Sequence, residues 1–146
     1  MNYEELEKKR LLRKHTFTKG QIKQQIDLAR RDLGVAKDNL KNESYDWAYA
    51  IAYNAILQSA RALLFSRGYR PVGENQHKTV IETLKSELEN SPDLTDRANR
   101  MRKRRHKVVY SFSGMVSETE ANEALELADK IVQNIVDLVG EEELCK

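Results

Sequence analysis

Residues that break or crosslink a chain are scarce in this sequence, which has one cysteine, two prolines and six glycines among 146 residues. Because Cys145 is the single cysteine, an intrachain disulfide is excluded, and a cytoplasmic, reducing setting is predicted. With 40% hydrophobic and 33% charged residues, the composition is typical of amphipathic helices. No window approaches the roughly 20 apolar residues of a membrane span, so no membrane association is predicted.

Motifs of several enzyme classes are also missing. The sequence has no glycine-rich phosphate loop, zinc-ligand spacing or nucleophilic Ser or Cys constellation. One Glu74-x-x-His77 pair has the spacing found in carboxylate di-metal bundles, but such sites need two pairs and two further glutamates. We therefore predict neither a metal nor a cofactor, and interpret His77 as a helix-start or pocket residue.

Apolar residues recur every three or four positions along most of the chain, which predicts helices. The segments are 3–14 (a short helix or an arm), 19–40, 45–67, 75–88, 93–110 and 117–139. No segment has a strand pattern, so the fold class is all-α, an up-and-down antiparallel bundle of four to five helices. Segment 45–67 is apolar on nearly every side, which is typical of a central helix.

Positive charge is concentrated in one segment, although the net charge is only +2. Between Asp93 and Gly114 there are two aspartates and seven basic residues, Arg97, Arg100, Arg102, Lys103, Arg104, Arg105 and Lys107. From Met115 to Lys146 nine acids face two lysines. The basic helix is therefore the predicted functional surface, although such helices are also often solvated faces or salt-bridged interfaces.

Several segments together resemble a known family. They are Asp27-Leu28-Ala29-Arg30, Tyr45-Asp46-Trp47-Ala48, Tyr53-Asn54-Ala55, Arg67-Gly68-Tyr69-Arg70-Pro71, His77 and the Arg-rich helix ending at His106 to Tyr110. From Lys19 to Val139 the chain resembles the HEPN family of helical domains, which occur beside minimal nucleotidyltransferases and in RNA-cutting toxin systems. The domain layout expected is an N-terminal arm or short helix over 1–18, a HEPN-like bundle over 19–140 and a C-terminal tail over 141–146.

The resemblance implies a chemistry and a set of partners. Catalytic members of that family have an arginine followed, four to six residues later, by a histidine, and Arg100 and His106 have five residues between them. The resemblance thus implies a metal-independent endoribonuclease acting as a homodimer, the toxin-type component of a pair with a minimal nucleotidyltransferase antitoxin. Two positions depart from the family pattern, with Met101 where a polar residue is commoner and Val108 where toxin members have tyrosine.

Helical geometry leaves the arginine partner of His106 open. At about 100° per residue, Arg100 and His106 are about 240° apart, whereas Arg102, four residues before His106, shares its face. Either the helix is distorted, or arginine and histidine meet across a dimer, or Arg102 is the partner. Tyr110 lies on the same face and is a candidate to orient the imidazole or to stack on a base.

A second function fits the same residues. The predicted RNA or phosphate contacts are Arg97, Lys103, Arg104, Arg105 and Lys107. In the endoribonuclease they would hold the substrate beside His106, since arginine pairs with phosphate oxygens and histidine titrates near neutral pH. In the alternative, a non-catalytic module uses the same cations to bind a nucleotide, RNA or a partner protein such as the nucleotidyltransferase. With one histidine expected in this region, cleavage would need a dimer to supply the second.

Overall fold

Helices make up most of the structure, a computed structural model that describes residues 2–110 and 115–140, apart from the side chains of Val109 and Tyr110. The elements are α1 (Tyr3–Lys8), β1 (Leu12–Lys14), α2 (Lys19–Lys41), α3 (Tyr45–Ser66), β2 (Tyr69–Pro71), α4 (Gln76–Glu87), α5 (Pro92–Tyr110) and α6 (Glu118–Val139). The predicted helical bundle is confirmed. Residues 111–114, which lie between the last two segments predicted as helices, and the tail expected at 141–146 are outside the described residues. No helix in the described part of the chain combines the length and apolarity that a membrane crossing requires.

Side-chain caps fix the starts of the two long outer helices. Before α2, the Thr18 hydroxyl accepts from the Gln21 backbone N–H at 3.1 Å, and the Gln21 side chain accepts from the Thr18 backbone N–H at 2.9 Å. Before α6, the Ser117 hydroxyl accepts from the Glu120 backbone N–H at 3.1 Å. These bonds satisfy N–H groups that have no partner within the helix, so the chain enters each helix at a defined residue.

The central helix is α3, as its composition predicts. It packs against α2, α4, α5 and α6. Six of its alanines are buried, Ala48, Ala50, Ala52, Ala55, Ala60 and Ala62. Because an alanine side chain is short, neighbouring helices approach the α3 backbone closely, and the larger core side chains come from α2, α4 and α6 as well as from α3 itself.

Two short strands depart from the expectation that the chain has none. β1 and β2 pair antiparallel, with Leu12 opposite Pro71 and Lys14 opposite Tyr69. The pairing draws the N-terminal segment onto the exit of α3, where the Tyr3 ring also stacks on the Tyr69 ring at 5.2 Å. Because each strand has three residues, no alternating pattern was long enough to predict it.

The positions of α4 and α5 decide where the functional side chains meet. The Val116 backbone N–H donates to Asp46 Oδ1 at 3.0 Å, so α3 and α6 begin at the same end of the bundle. Between them in sequence, α4 and α5 pack against each other and against α3. Pro92 occupies the first position of α5, where the missing N–H of proline costs nothing. The basic helix therefore has one side toward α6 and another toward α3 and α4.

Candidate functional site

A groove of about 510 Å³ lies between the start of α4 and the second half of α5. Its lining is Asn75, Gln76, His77, Arg102, Lys103, Arg105 and His106. The lining thus holds two imidazoles and three basic side chains without a carboxylate. Such a surface attracts an anionic ligand and offers groups that both donate hydrogen bonds and transfer protons.

The start of α4 is built to hold His77 in this groove. Asn75, just before the helix, has a φ of +58°, a left-handed conformation that asparagine tolerates better than most residues. The Gln76 side chain donates to the Gly73 carbonyl oxygen at 3.2 Å. His77 is therefore the second residue of the helix and is half-buried against α3 and α5.

Arg100 and Arg102 lie on different sides of α5. Arg102 lines the groove together with His106, and its Nε donates to Asn99 Oδ1 at 3.1 Å. Arg100 instead lines a second hollow, between α5, α6 and α3, with Tyr49 and Arg97 among its other lining residues. Since α5 is α-helical from Pro92 to Tyr110, no distortion brings Arg100 to His106 within the chain.

The other predicted phosphate contacts divide into three kinds. Arg104 is engaged within the protein, because its guanidinium donates to both carboxylate oxygens of Glu120 at 3.2 Å and to the Met115 carbonyl oxygen at 2.9 Å. Arg97 lies 3.8 Å from the Asp93 carboxylate. Lys103 and Arg105 line the groove, and Lys107 is exposed beside it.

Three further positions of the basic helix were singled out from the sequence. Met101 and Val108, which depart from the family pattern, are buried in the core, so both residues contribute to packing. Tyr110 is the last residue of α5, and its side chain lies outside the described residues. Its predicted roles therefore stay predictions.

Below the groove, on the side of α3, three aromatic or cationic groups come together. The Tyr53 side chain is fully buried. Its ring centroid lies 6.0 Å from that of His77 and 5.7 Å from the guanidinium carbon of Arg105. The second distance is within the range of a cation–π contact, so the Tyr53 ring supports the cation above it.

A fourth member, Arg61 of α3, makes this cluster strongly positive. Burial lowers the pKa of Arg61, and burial together with Arg61, Arg105 and Arg102 lowers the pKa of His77. Burial raises the pKa of Tyr53 to about 12, although the same three arginines oppose the rise. At neutral pH His77 is therefore neutral and Tyr53 keeps its proton.

This cluster was not predicted from the sequence. One histidine was expected in the region, whereas His77 and His106 line the same groove. The signal for Arg61 was available, since α3 contains only two charged residues, Asp46 and Arg61. A charge in the middle of a helix that is otherwise apolar is costly to bury, which points to a specific use.

The aromatic residues of α3 differ in exposure. Trp47 is 60% exposed and is not part of the core. Tyr45, Tyr49 and Tyr53 recur every four residues, and Tyr49 and Tyr53 are buried. Among the described residues, no three His, Cys, Asp or Glu side chains are grouped as metal ligands.

Comparison with known proteins identifies the fold that carries this groove. The family model of the HEPN domain matches residues 22–139, which include α3, α4, α5 and α6. The chain belongs to the HEPN domain family. All seven residues that line the groove, and both Tyr53 and Arg61 beneath it, fall within the matched HEPN region.

Solved structures agree with that assignment at the level of the fold. ST0689, an archaeal HEPN homologue, is 17% identical with a TM-score of 0.64, over 82% of this chain and 98% of its own. TT1696 from Thermus thermophilus is 23% identical with a TM-score of 0.65, over 80% of this chain and 96% of its own. No protein of curated function matches the sequence. At these identities the likeness concerns the HEPN fold alone.

Proposed function

We propose that this HEPN protein is a metal-independent endoribonuclease whose cleavage site is the groove between α4 and α5. The observation that carries the proposal is the joint placement of Arg102, His106 and His77 along one carboxylate-free groove. A polyanion is attracted to such a lining, and imidazole and guanidinium are groups that can cleave a phosphodiester without a metal.

The proposed reaction is an internal transfer within the RNA. A base removes the proton of a 2′-hydroxyl, whose oxygen attacks the adjacent phosphorus. The bond to the 5′-oxygen breaks, and an acid protonates that leaving oxygen, so the products carry a 2′,3′-cyclic phosphate and a 5′-hydroxyl. His106 is exposed and reaches a bound strand, and the Arg102 guanidinium stabilises the charge on the phosphorane.

Two arrangements supply the second imidazole. In the first, His77 of the same chain serves as the base, since its lowered pKa keeps it neutral at pH 7. In the second, a homodimer brings two copies of His106 and Arg102 into one cleft, as the family resemblance implies. We propose the dimer as the working form and Tyr110 as a helper that orients the imidazole or stacks on a base.

Cleavage of a labelled RNA in excess EDTA tests the proposal. We expect cleavage by the wild-type protein, a loss of at least about a hundredfold in His106→Ala and in Arg102→Gln, and little change in the matched variant Arg100→Gln. If Arg100→Gln is the inactive arginine variant, the arginine acts across a dimer. If the wild-type protein does not cleave, or His106→Ala cleaves equally well, the endoribonuclease proposal fails.

The His77→Ala variant distinguishes the two arrangements of histidines. If His77 of the same chain is the base, His77→Ala loses cleavage as His106→Ala does. If two copies of His106 form the site, His77→Ala keeps cleavage, whereas mixed dimers of wild-type and His106→Ala subunits lose it. Size-exclusion chromatography with light scattering gives the oligomeric state needed to interpret the result.

The cellular role proposed is that of a toxin restrained by a minimal nucleotidyltransferase antitoxin. Its support is the HEPN family resemblance, and the single-cysteine composition predicts that the pair acts in the cytoplasm. We expect expression of the wild-type chain to arrest growth, His106→Ala to relieve the arrest, and co-expression of the minimal nucleotidyltransferase antitoxin to relieve it too. Unimpaired growth with the wild-type chain would contradict the toxin role.

A second function is favoured by the cations beneath the groove. Arg61 and Arg105 are half-buried, and neither takes part in an ion pair among the described residues. Such cations bind an anion whether or not chemistry follows, which suits a non-catalytic module for nucleotides, RNA or an acidic partner. A steep fall of RNA affinity with salt combined with no cleavage would favour this module, and a flat salt response would favour a protein partner.

A further inference from the structure

Two hydrogen-bond donors beneath the groove have no acceptor in the described structure. They are the Tyr53 hydroxyl and Arg105 Nε, both buried. The hydroxyl keeps its proton because burial raises the pKa of Tyr53 to about 12. Buried donors in native proteins nearly always have a partner, so two such donors 5.7 Å apart by ring centroid and guanidinium carbon point to an acceptor that binds there.

The charges around these donors are unbalanced. Arg61 approaches from α3, Arg102 and Arg105 from α5, and His77 from α4, while each charged group that shifts the pKa of His77 is an arginine. No ion pair between described residues includes Arg61, Arg102 or Arg105. Cations held together in a partly buried place repel one another, and an anion among them removes that repulsion.

We propose that Tyr53, Arg61, His77 and Arg105 form a pocket for a terminal phosphate group, the dianionic phosphate monoester of an RNA 5′ end or of a free nucleotide. This pocket goes beyond the proposed cleavage, because it holds an end group rather than the phosphodiester that is cut. In the dimer proposed as the working form, two copies of His106 perform the cleavage and His77 takes no part in it. The pocket requires no reaction and is therefore testable by binding alone.

The number and type of groups favour a terminal phosphate over an internal one. An internal phosphodiester has one negative charge and two esterified oxygens, so it accepts hydrogen bonds mainly through two oxygens. A terminal phosphate has about two charges and three free oxygens near neutral pH. Arg61, Arg105 and the Tyr53 hydroxyl supply two fixed positive charges and several donors, which match the terminal group in charge and in number of acceptors.

The position of the pocket gives it a role in selecting substrates. His77 and Arg105 belong both to the pocket and to the lining of the groove that contains His106. An RNA whose 5′ phosphate occupies the pocket would therefore extend along the groove past Lys103 and His106. The pocket would act as an anchor that sets which part of the strand lies beside the cleaving groups.

His77 makes the binding sensitive to pH. The groups that face it are Tyr53 and Arg61 from α3 and Arg102 and Arg105 from α5, with His106 in the same lining. In the free protein these cations disfavour protonation of His77. A bound dianion offsets them and raises the pKa of His77, so binding takes up a proton and strengthens as the pH falls.

The test measures binding of strands that cannot be cut. Calorimetry compares two 2′-O-methyl oligonucleotides of identical sequence, one with a 5′ phosphate and one with a 5′ hydroxyl, and compares AMP with adenosine. We expect the phosphorylated member of at least one pair to bind tighter by about tenfold to a hundredfold, as for hydrogen bonds to charged groups. Preference in the RNA pair assigns the pocket to RNA ends, and preference in the AMP pair alone assigns it to free nucleotides. No preference in either pair overturns the proposal.

Single substitutions test which residues cause the preference for the phosphorylated ligand. Arg105→Gln, Arg61→Gln and His77→Gln should each reduce the preference for the phosphorylated ligand, while Arg30→Gln, which removes an exposed charge on α2, should leave it unchanged. Arg105→Lys, which keeps the charge, should restore part of it. Circular dichroism checks that each variant is folded. If Arg61→Gln does not fold, the Arg105→Gln and His77→Gln variants test the pocket. An equal loss in Arg30→Gln would mean general charge attraction and overturn the pocket.

Sulfate keeps its two charges between pH 5 and 8 and therefore isolates the titration of the protein. We expect sulfate to bind more tightly at pH 5.5 than at pH 7.5 in the wild-type protein, and the difference to shrink in His77→Gln. The His77 ring signal in NMR spectra should show a pKa that rises when sulfate is added. A His77 pKa that sulfate leaves unchanged would overturn the assignment of His77 to the pocket. Because the His106→Ala variant keeps all four pocket residues, its binding distinguishes failure of the pocket from failure of cleavage.

Discussion

Replacing Tyr53 by phenylalanine removes one buried hydroxyl and keeps the ring that supports Arg105. The hydroxyl has no partner in the described structure, and an unsatisfied buried hydroxyl costs about 1–3 kcal/mol. Since the variant leaves a small void where the oxygen was, we expect a gain near the lower end, about 1 kcal/mol of unfolding free energy. For a chain of this size that corresponds to a rise in Tm of about 2–4 °C.

A bound anion should reverse the order of stability of the wild-type protein and Tyr53→Phe. If the hydroxyl donates to a bound sulfate or phosphate, losing that bond weakens binding at least about tenfold, which is about 1.4 kcal/mol less stabilisation at a concentration saturating for both proteins. Tyr53→Phe should then be slightly less stable than the wild-type protein in sulfate, although it is more stable in chloride of matched ionic strength.

Urea unfolding followed by circular dichroism measures both quantities. Tyr49→Phe is the matched control, because Tyr49 is also buried on α3 but lines the hollow toward α6. Its effect on stability should be the same in chloride and in sulfate. A loss of more than about 1 kcal/mol for Tyr53→Phe in chloride would refute the reasoning, since it would mean that the hydroxyl is already hydrogen-bonded within the protein.

Three further predictions concern stability and its pH dependence. Arg104→Gln removes the contacts with Glu120 and the Met115 carbonyl, so we expect urea unfolding to show a loss of about 1 kcal/mol in unfolding free energy. The salt dependence of RNA binding should not change. A shallower salt dependence would mean that Arg104 contacts phosphate. Because the pKa of His77 is lowered in the folded protein, the unfolded chain binds a proton at His77 more readily. The unfolding free energy should therefore fall as the pH drops below the ordinary histidine value of about 6.5, and this fall should be smaller in His77→Gln. An equal pH dependence of stability in the two proteins would refute this prediction. Gly68→Ala should lower the unfolding free energy by about 1 kcal/mol, because Gly68 has a φ of +84°, which strains an alanine. A clash is not the cause, since an added Cβ would meet only the His15 carbonyl oxygen at 3.7 Å. An unchanged Tm in thermal unfolding would contradict this prediction.

The helices were predictable because their signals are local. The apolar stripes of 19–40 and 117–139 repeat over six turns, and capping residues precede each, so α2 and α6 begin within a residue of the expected positions. The β1–β2 pairing is non-local and joins residues near 13 with residues near 70. Three-residue strands leave no period to detect, and only the backbone pairing itself reveals them.

The same distinction applies to the groove. The geometry of a single helix predicts that Arg102 and His106 share a face, because they are one turn apart. The meeting of Arg61, His77 and Arg105 depends on how α3, α4 and α5 cross, which no spacing within one helix encodes. The sequence does contain a partial signal, the isolated charge of Arg61 in an apolar helix, but it does not indicate what that charge faces.

The burial of the basic side chains in and beneath the groove, more than their number, determines how strongly they bind an anion. Lys103 is exposed, so its attraction for an anion is screened over about 8–10 Å in physiological salt. Arg105 is half-buried against the Tyr53 ring, and Arg61 is half-buried on α3. In such places screening by ions is weaker and each hydrogen bond to an anion is stronger. In the proposed endoribonuclease, the exposed side chains would therefore attract an RNA strand mainly at low salt. Arg61 and Arg105 would still bind one phosphate at higher salt, and that phosphate would set the position of the strand.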